Sequence, residues 1–217
     1  MTDNVALFPI PDLVAFPGTI VPLHVFEPRY RQMVDDAVEQ QRMIGVSNTR
    51  KEIHPGRKHE TVEQALASNQ ATYQPFDIFT AGHVEVVNRT EDGRIHAVIH
   101  AARRMQRVGE VQTLPYRIVE ALEVADEEED ADTTAQNRAL QTAINQRLID
   151  LVSGENEALA KAMAEIDWDN QSPAEFSFKV FQFLRFEPDL MQMILESRRP
   201  SERLKVIDDM LVQASGG

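Results

Sequence analysis

Apolar and polar positions change their rhythm about halfway along the chain. In the first 125 residues the apolar positions come in short runs or alternate, as half-buried strands require. "VALFPI" is a run ended by Pro11, and "TIVPLHVF" and "RMIGVSN" (42–48) are two more. In "HVEVVNRTEDGRIHAVIH" two alternating arms flank Asp92-Gly93, a strong hairpin signal. On the second arm Ile95, Ala97 and Ile99 fall on one face, and His96, Val98 and His100 on the other. "YRIVEALEV" (116–124) predicts a further strand. One helix interrupts this region: from Pro28 onward, Tyr30, Met33, Val34, Ala37 and Val38 form an i, i+3, i+4, i+7, i+8 stripe.

From residue 126 the period becomes helical. Leu140, Ile144, Leu148 and Leu151 make one stripe, and "NEALAKAMAEI" predicts a short second helix. "SPAEF" predicts a helix start, with Ser172 as N-cap, Pro173 at the first position and Glu175 closing a capping box. Pro188 and Pro200 open two more, striped by Leu190, Ile194 and Leu195 and by Leu204, Ile207 and Leu211. The expected class is α+β in two domains, 1–125 and 126–217. The acidic block "ADEEEDAD" (125–132) between them reads as a solvated linker that supplies an acidic helix N-terminus. Residues 51–75 are polar and weakly periodic, with "TVEQALA" as a short helix inside a long loop.

Composition narrows the function. The chain of 217 residues has no cysteine, which removes disulfides and thiolate chemistry and fits a reducing cytoplasm. No apolar run is long enough to span a membrane. Residues 1–118 hold 13 Lys and Arg against 14 Asp and Glu; residues 119–217 hold 9 against 21. So acidic a second half argues against a nucleic-acid backbone as partner there.

The chemical candidates are sparse. Neither a phosphate-binding glycine loop nor a G-x-S-x-G elbow occurs. All six histidines lie in the first half. His54 and His59 have no metal-pair spacing, and His96 and His100 share a strand face but stand roughly 13 Å apart. His24 and Glu27 make a weak hydrolase pair beside a Pro-defined corner. Arg94, Arg103, Arg104 and Arg107 would have to share one face to hold RNA, and no aromatics interleave with them. In "FSFKVFQFLRF" most phenylalanines read as core, while Phe178 and Phe186 fall off the stripe as candidates for an inter-domain or partner contact.

"LFPIPDLVAFPGTIVPLHVFEPRYRQMV" resembles the start of the N-terminal domain of the ATP-dependent Lon proteases. Phe8-Pro9, Phe16-Pro17-Gly18, Pro22-Leu23-His24 and Phe26-Glu27-Pro28-Arg29-Tyr30 carry the likeness. It continues more weakly through Gly82, Gly93 and Arg104, with Ala101 where a glycine is usual, to Leu195-Glu196 and Glu202-Arg203-Leu204. The resemblance covers nearly the whole chain and is most specific in residues 7–34. It implies a PUA-like twisted β pseudo-barrel with one helix, followed by a C-terminal α-helical bundle. It also implies a stand-alone, non-catalytic module that binds polypeptides, with a protease or a second copy of the chain as further partners and no cofactor. RNA binding is the alternative. The expected binding surfaces are the edge of the strand bearing Pro22 and an apolar groove between the β part and the bundle.

Overall fold

The computed structural model describes residues 1–54, 72–153, 156–168 and 170–215. The helix expected at "TVEQALA", the His54 side chain and His59 lie outside them. The chain forms two compact units, one of Met1–Val124 with Arg185–Leu195, the other of Ala125–Leu184 with Glu196–Gly217.

The first unit is built on eight strands: β1 (Asp3–Pro9), β2 (Ile20–Val25), β3 (Ile44–Ser47), β4 (Thr49–His54), β5 (Thr72–Pro75), β6 (Ile78–Arg89), β7 (Ile95–Gln112) and β8 (Arg117–Glu123). Helix α1 (Pro28–Glu39) follows β2. Six strands form one sheet in the order β2-β7-β6-β3-β1-β8, and β7 also pairs with β8. That last pairing closes a five-stranded ring of β7, β6, β3, β1 and β8, and leaves β2 attached outside it. The ring pairs antiparallel except at β1–β3, which is parallel. β4 and β5 form a separate two-stranded sheet.

Core packing follows the strand alternation. Ala6 lies in a cluster with Ile44, Val46, Ile95, Ile99 and the α1 residues Tyr30, Met33 and Val34. Its neighbours Val5 and Leu7 join a second cluster with Phe79, Met105 and Val119. β1 is therefore buried on both faces, which is why it reads as an unbroken apolar run. On the second hairpin arm Ile95, Ala97 and Ile99 are buried and His96 and His100 exposed, as the alternation predicts.

Two glycines make the sheet possible. Gly18 has φ +83°. Its N–H donates to the Ala101 carbonyl at 2.7 Å, while the Ala101 N–H donates to the Thr19 carbonyl at 3.0 Å. Two residues thus oppose one, a bulge that needs a glycine in the left-handed region. At Gly82 the β6–β7 register slips. A Cβ there would lie 1.9 Å from the His100 carbonyl oxygen, a backbone atom that cannot step aside.

The second unit is helical: α2 (Ala131–Ser153), α3 (Glu157–Ala164), α4 (Pro173–Lys179) with a 3-10 turn over Val180–Gln182, and α6 (Pro200–Ser215). Helix α5 (Pro188–Glu196) belongs, up to Leu195, to the first unit. The capping box at Ser172 and Glu175 is present with Pro173 at its expected place. Ile144, Leu148, Leu204, Ile207 and Leu211 are buried, as their stripes predict. The buried face of α2 is also polar, because Asn137 and Gln141 lie on it. Gln141 donates to the Trp168 carbonyl at 2.7 Å and Asn137 to Glu129 at 2.6 Å, so burial strands neither amide.

Two expectations for this unit are corrected. Phe178, expected at an inter-domain or partner contact, is not exposed for a partner: it is buried, with the Arg203 guanidinium 4.0 Å from its ring centroid. Nor is the acidic block merely solvated. Asp126 takes both terminal nitrogens of the fully buried Arg203 at 2.7 Å, and Glu127 accepts from Arg199 at 2.8 Å. Glu129 accepts from the Ser201 N–H. Asp130 and Asp132 do what was expected: Asp130 caps α2 through the Thr133 N–H at 2.7 Å, and Asp132 lies in its first turn.

Adding a Cβ at Gly82 should break the barrel. Gly82→Ala is expected to lower stability by about 3 kcal/mol or more, the upper range for overpacking, whereas Gly109→Ala, whose Cβ meets only the Glu120 side chain at 3.3 Å or more, stays near the parent. Thermal and urea unfolding of the two variants checks this.

Helix-cap bonds also give the helical unit an acid limit. Backbone N–H donors hold the Asp130 and Glu175 carboxyls below their ordinary values. A depressed folded-state value stabilises the fold above the unfolded-state value and loses that contribution as pH falls through the folded one. Urea midpoints should hold above about pH 5 and decline below about pH 4, with a shallower decline in the Asp130→Asn, Glu175→Gln double variant.

Candidate functional site: an apolar groove beside a free strand edge

Among the described residues β2 is the strand of the six-stranded sheet that leaves an edge unpaired, and the register shows which backbone groups it offers. Ile20 stands opposite His100, so Thr19, which accepts the Ala101 N–H, opens the hydrogen-bonded set. Antiparallel ladders alternate, so Val21, Leu23 and Val25 bond to β7, and Ile20, Pro22 and His24 turn their backbone groups outward. Pro22 therefore sits where its missing N–H costs no ladder bond, as the edge-strand reading of this proline requires. The free edge presents N–H and C=O at Ile20 and His24, and a lone C=O at Pro22.

Beside this edge lies an open groove of about 320 Å³. Pro22, Leu23 and Phe26 form one side, and Phe8, Ile10 and Leu13 from the end of β1 and its following turn form the other. Tyr30 at the start of α1 closes one end, its ring 4.2 Å from that of Phe8. The turn is fixed by Asp12, which has φ +58° and donates its N–H to Asn48 at 3.1 Å. The lining is thus mostly aliphatic and aromatic, chemistry suited to apolar side chains, with His24, Glu27 and Arg29 as its polar members.

The corner residues are structural here. Pro28 takes the first turn of α1, and the Glu27 carbonyl accepts the Arg31 N–H at 2.9 Å. The Glu27 carboxylate makes no side-chain cap. It is paired instead with Arg29 at 2.9 Å, and both side chains are largely covered. Arg29 in turn lies over the Tyr30 ring at 4.5 Å. His24 points to the outer face, stacked on His96 at 4.6 Å. His24 and Glu27 thus both line the groove, the imidazole stacked on His96 and the carboxylate paired with Arg29. Burial pushes the Tyr30 phenol up to about 12, so it stays neutral at the groove wall.

The arginines do not gather into one face. Arg104 is buried and donates to the Val124 and Leu195 carbonyls, each at 3.2 Å. Arg103, its neighbour on the opposite face, pairs with Asp3 and Glu123, Arg107 with Asp77, and Arg94 with Asp92. The basic cluster is neutralised strand by strand. Phe186 is half-buried in the segment that belongs to the first unit. Sequence reasoning missed the second wall of the groove, Phe8, Ile10 and Leu13. The closely spaced prolines of "FPIPDL" were the signal that the chain turns there.

Comparison with known proteins places this architecture. The family model of the ATP-dependent protease La (LON) substrate-binding domain matches residues 4–213. The chain belongs to the Lon substrate-binding domain family. Lon protease 1 of Herpetosiphon aurantiacus is 24% identical over 97% of this chain and 24% of its own length. Lon protease 2 of Bdellovibrio bacteriovorus is 23% identical over 96% of this chain and 24% of its own. The chain thus spans about a quarter of these relatives. Among solved structures, the N-terminal domain of a Mycobacterium avium complex Lon protease superimposes with a TM-score of 0.68 at 16% identity, covering 97% of this chain and 98% of that one. A Lon N-terminal domain protein from Xanthomonas campestris gives 0.58 at 18% identity, covering 95% and 96%. These are fold likenesses. The fold is the α+β Lon N-domain arrangement, a PUA-like β barrel with a helical unit, and among the described residues no helix is long and apolar enough to cross a membrane.

The chain has three tyrosines. Burial raises Tyr116 to about 12 as well, helped by its hydrogen bond to Asp36 at 2.6 Å. Absorbance titration at alkaline pH should therefore show two phenols ionising only near pH 12, and Tyr30→Phe should remove one of them.

Proposed function

We propose that the first unit binds extended, apolar segments of polypeptides, with the β2 edge taking the backbone and the groove taking side chains. The observation that carries this reading is the juxtaposition of free backbone groups at Ile20, Pro22 and His24 with an apolar, aromatic-lined groove alongside. Strand addition obtains affinity from main-chain bonds and selectivity from pockets for alternate side chains. The family description, a substrate-binding domain of an ATP-dependent protease, supports the same ligand class. A protease that degrades the bound polypeptide is the natural partner, and the module itself performs no bond cleavage. The neutralised arginines and the near-balanced charge of residues 1–118 favour polypeptide over RNA.

Calorimetric titration with a permanently unfolded model protein tests this. Saturable binding is expected. Leu13→Asp, which puts a carboxylate into the groove, should weaken it by about tenfold or more, equivalent to about 1.4 kcal/mol, with the thermal midpoint little changed. Absence of binding at millimolar concentration by the folded parent would refute the reading.

A further inference from the structure

Four histidines share the outer face of the sheet. The register sets His24 opposite His96 on β2 and β7, and His100 opposite His83 on β7 and β6. All four are exposed. The two pairs differ in what holds them. The His100 Nε2 is engaged by Glu85 at 2.8 Å. His24 and His96 instead stack on each other, with centroids 4.6 Å apart and planes 6° from parallel. The cause lies in the ladder. His24 and His96 occupy a non-hydrogen-bonded position, where the Cα atoms come within about 4.5 Å and side chains are closest.

We propose that His24 and His96 form a two-imidazole site for a borderline divalent cation of the Zn²⁺, Cu²⁺ or Ni²⁺ class. Neutral imidazole is a preferred ligand of these ions. Two imidazoles bound to one tetrahedral ion at ~2.0–2.1 Å place their centroids about 5 Å apart. Lone pairs lie in the ring planes, so the stack must open like a book. Both rings are on the surface, and the centroids need separate by only about half an ångström. Among the described residues no three histidine or acidic side chains gather around an ion. From the described residues the site is a two-imidazole chelate with its further positions open to water. It bridges β2 to β7 and so fastens the strand that carries the free edge. It shares His24 with the groove and its edge, but metal binding needs only the two imidazoles and is measured without a polypeptide.

Zn²⁺ titrated calorimetrically into the full chain, and Cu²⁺ followed by electron paramagnetic resonance, test the site. One ion per chain and a two-nitrogen Cu²⁺ signature are expected. His24→Gln and His96→Gln should each weaken binding by about tenfold or more, as loss of one arm of a chelate requires. The His83→Gln, His100→Gln double variant should bind within about twofold of the parent. Single variants that match the parent, or a double variant that loses the ion, would overturn the assignment. Zn²⁺ should also raise the thermal midpoint of the parent and not that of His24→Gln.

Discussion

β7 has two edges and three partners, and its length reconciles them. β6 follows one edge over residues 95–106. The other edge is divided: residues 95–100 go to β2 and residues 105–112 to β8. At ~3.3 Å per residue an 18-residue strand runs for roughly 60 Å, enough for two partners in succession. Between them lies the stretch from Ala101 to Arg104, stitched by Gly18 and Thr19 on one side and by the Val124 N–H on the other. The ring closes because β8 reaches the far half of β7. β2 is left with an open flank because the near half has only one place to offer. Gly82 belongs to the same requirement, since the bulge it permits brings the β7 backbone too close for any side chain.

The helical unit is organised around a cation instead of a purely apolar centre. Arg203 is fully buried and donates to Asp126, Ser177 and the Ser197 carbonyl while covering Phe178. A buried guanidinium is tolerable only when its donors are occupied and an opposite charge is in reach. Here that charge comes from the acidic segment ahead of α2. The segment that looked like a linker in the sequence is a neutralising strap for the start of α6, pairing Glu127 with Arg199 just before the helix and Asp126 with Arg203 within it.

Most elements were legible because their signals are local. Asp92-Gly93 marks its hairpin, Ser172-Pro173 its helix, and the Tyr30 to Ala37 stripe the face of α1. The losses are non-local or polar. The stretch around "RRMQR" read as strand-like, as it is, but its joining to the hairpin arm in one 18-residue strand was not legible, because alternation blurs where β7 changes partners and Arg104 turns inward. Gln141 and Arg203 could not be read as core, since their burial depends on acceptors far away in sequence, and Asn137 depends on Glu129 in the segment ahead of its helix. Phe178 falls off the apolar stripe because its cover is a guanidinium. Of the candidate site, the edge was legible from Pro22 alone. The groove was not, because its second wall arrives from the end of β1, and no periodicity within either segment links the two.

The proline at the centre of that edge also governs what the protein does to itself. Two copies meeting edge to edge about a two-fold axis through the middle of β2 would set Pro22 against Pro22. The central pair would then contribute no N–H donor at all, and two carbonyls would face each other across the seam. A foreign strand brings its own donor to the Pro22 carbonyl, so that pair keeps one of its two bonds. One missing hydrogen atom therefore costs a self-pairing centred on Pro22 two bonds, and a pairing with any other strand only one.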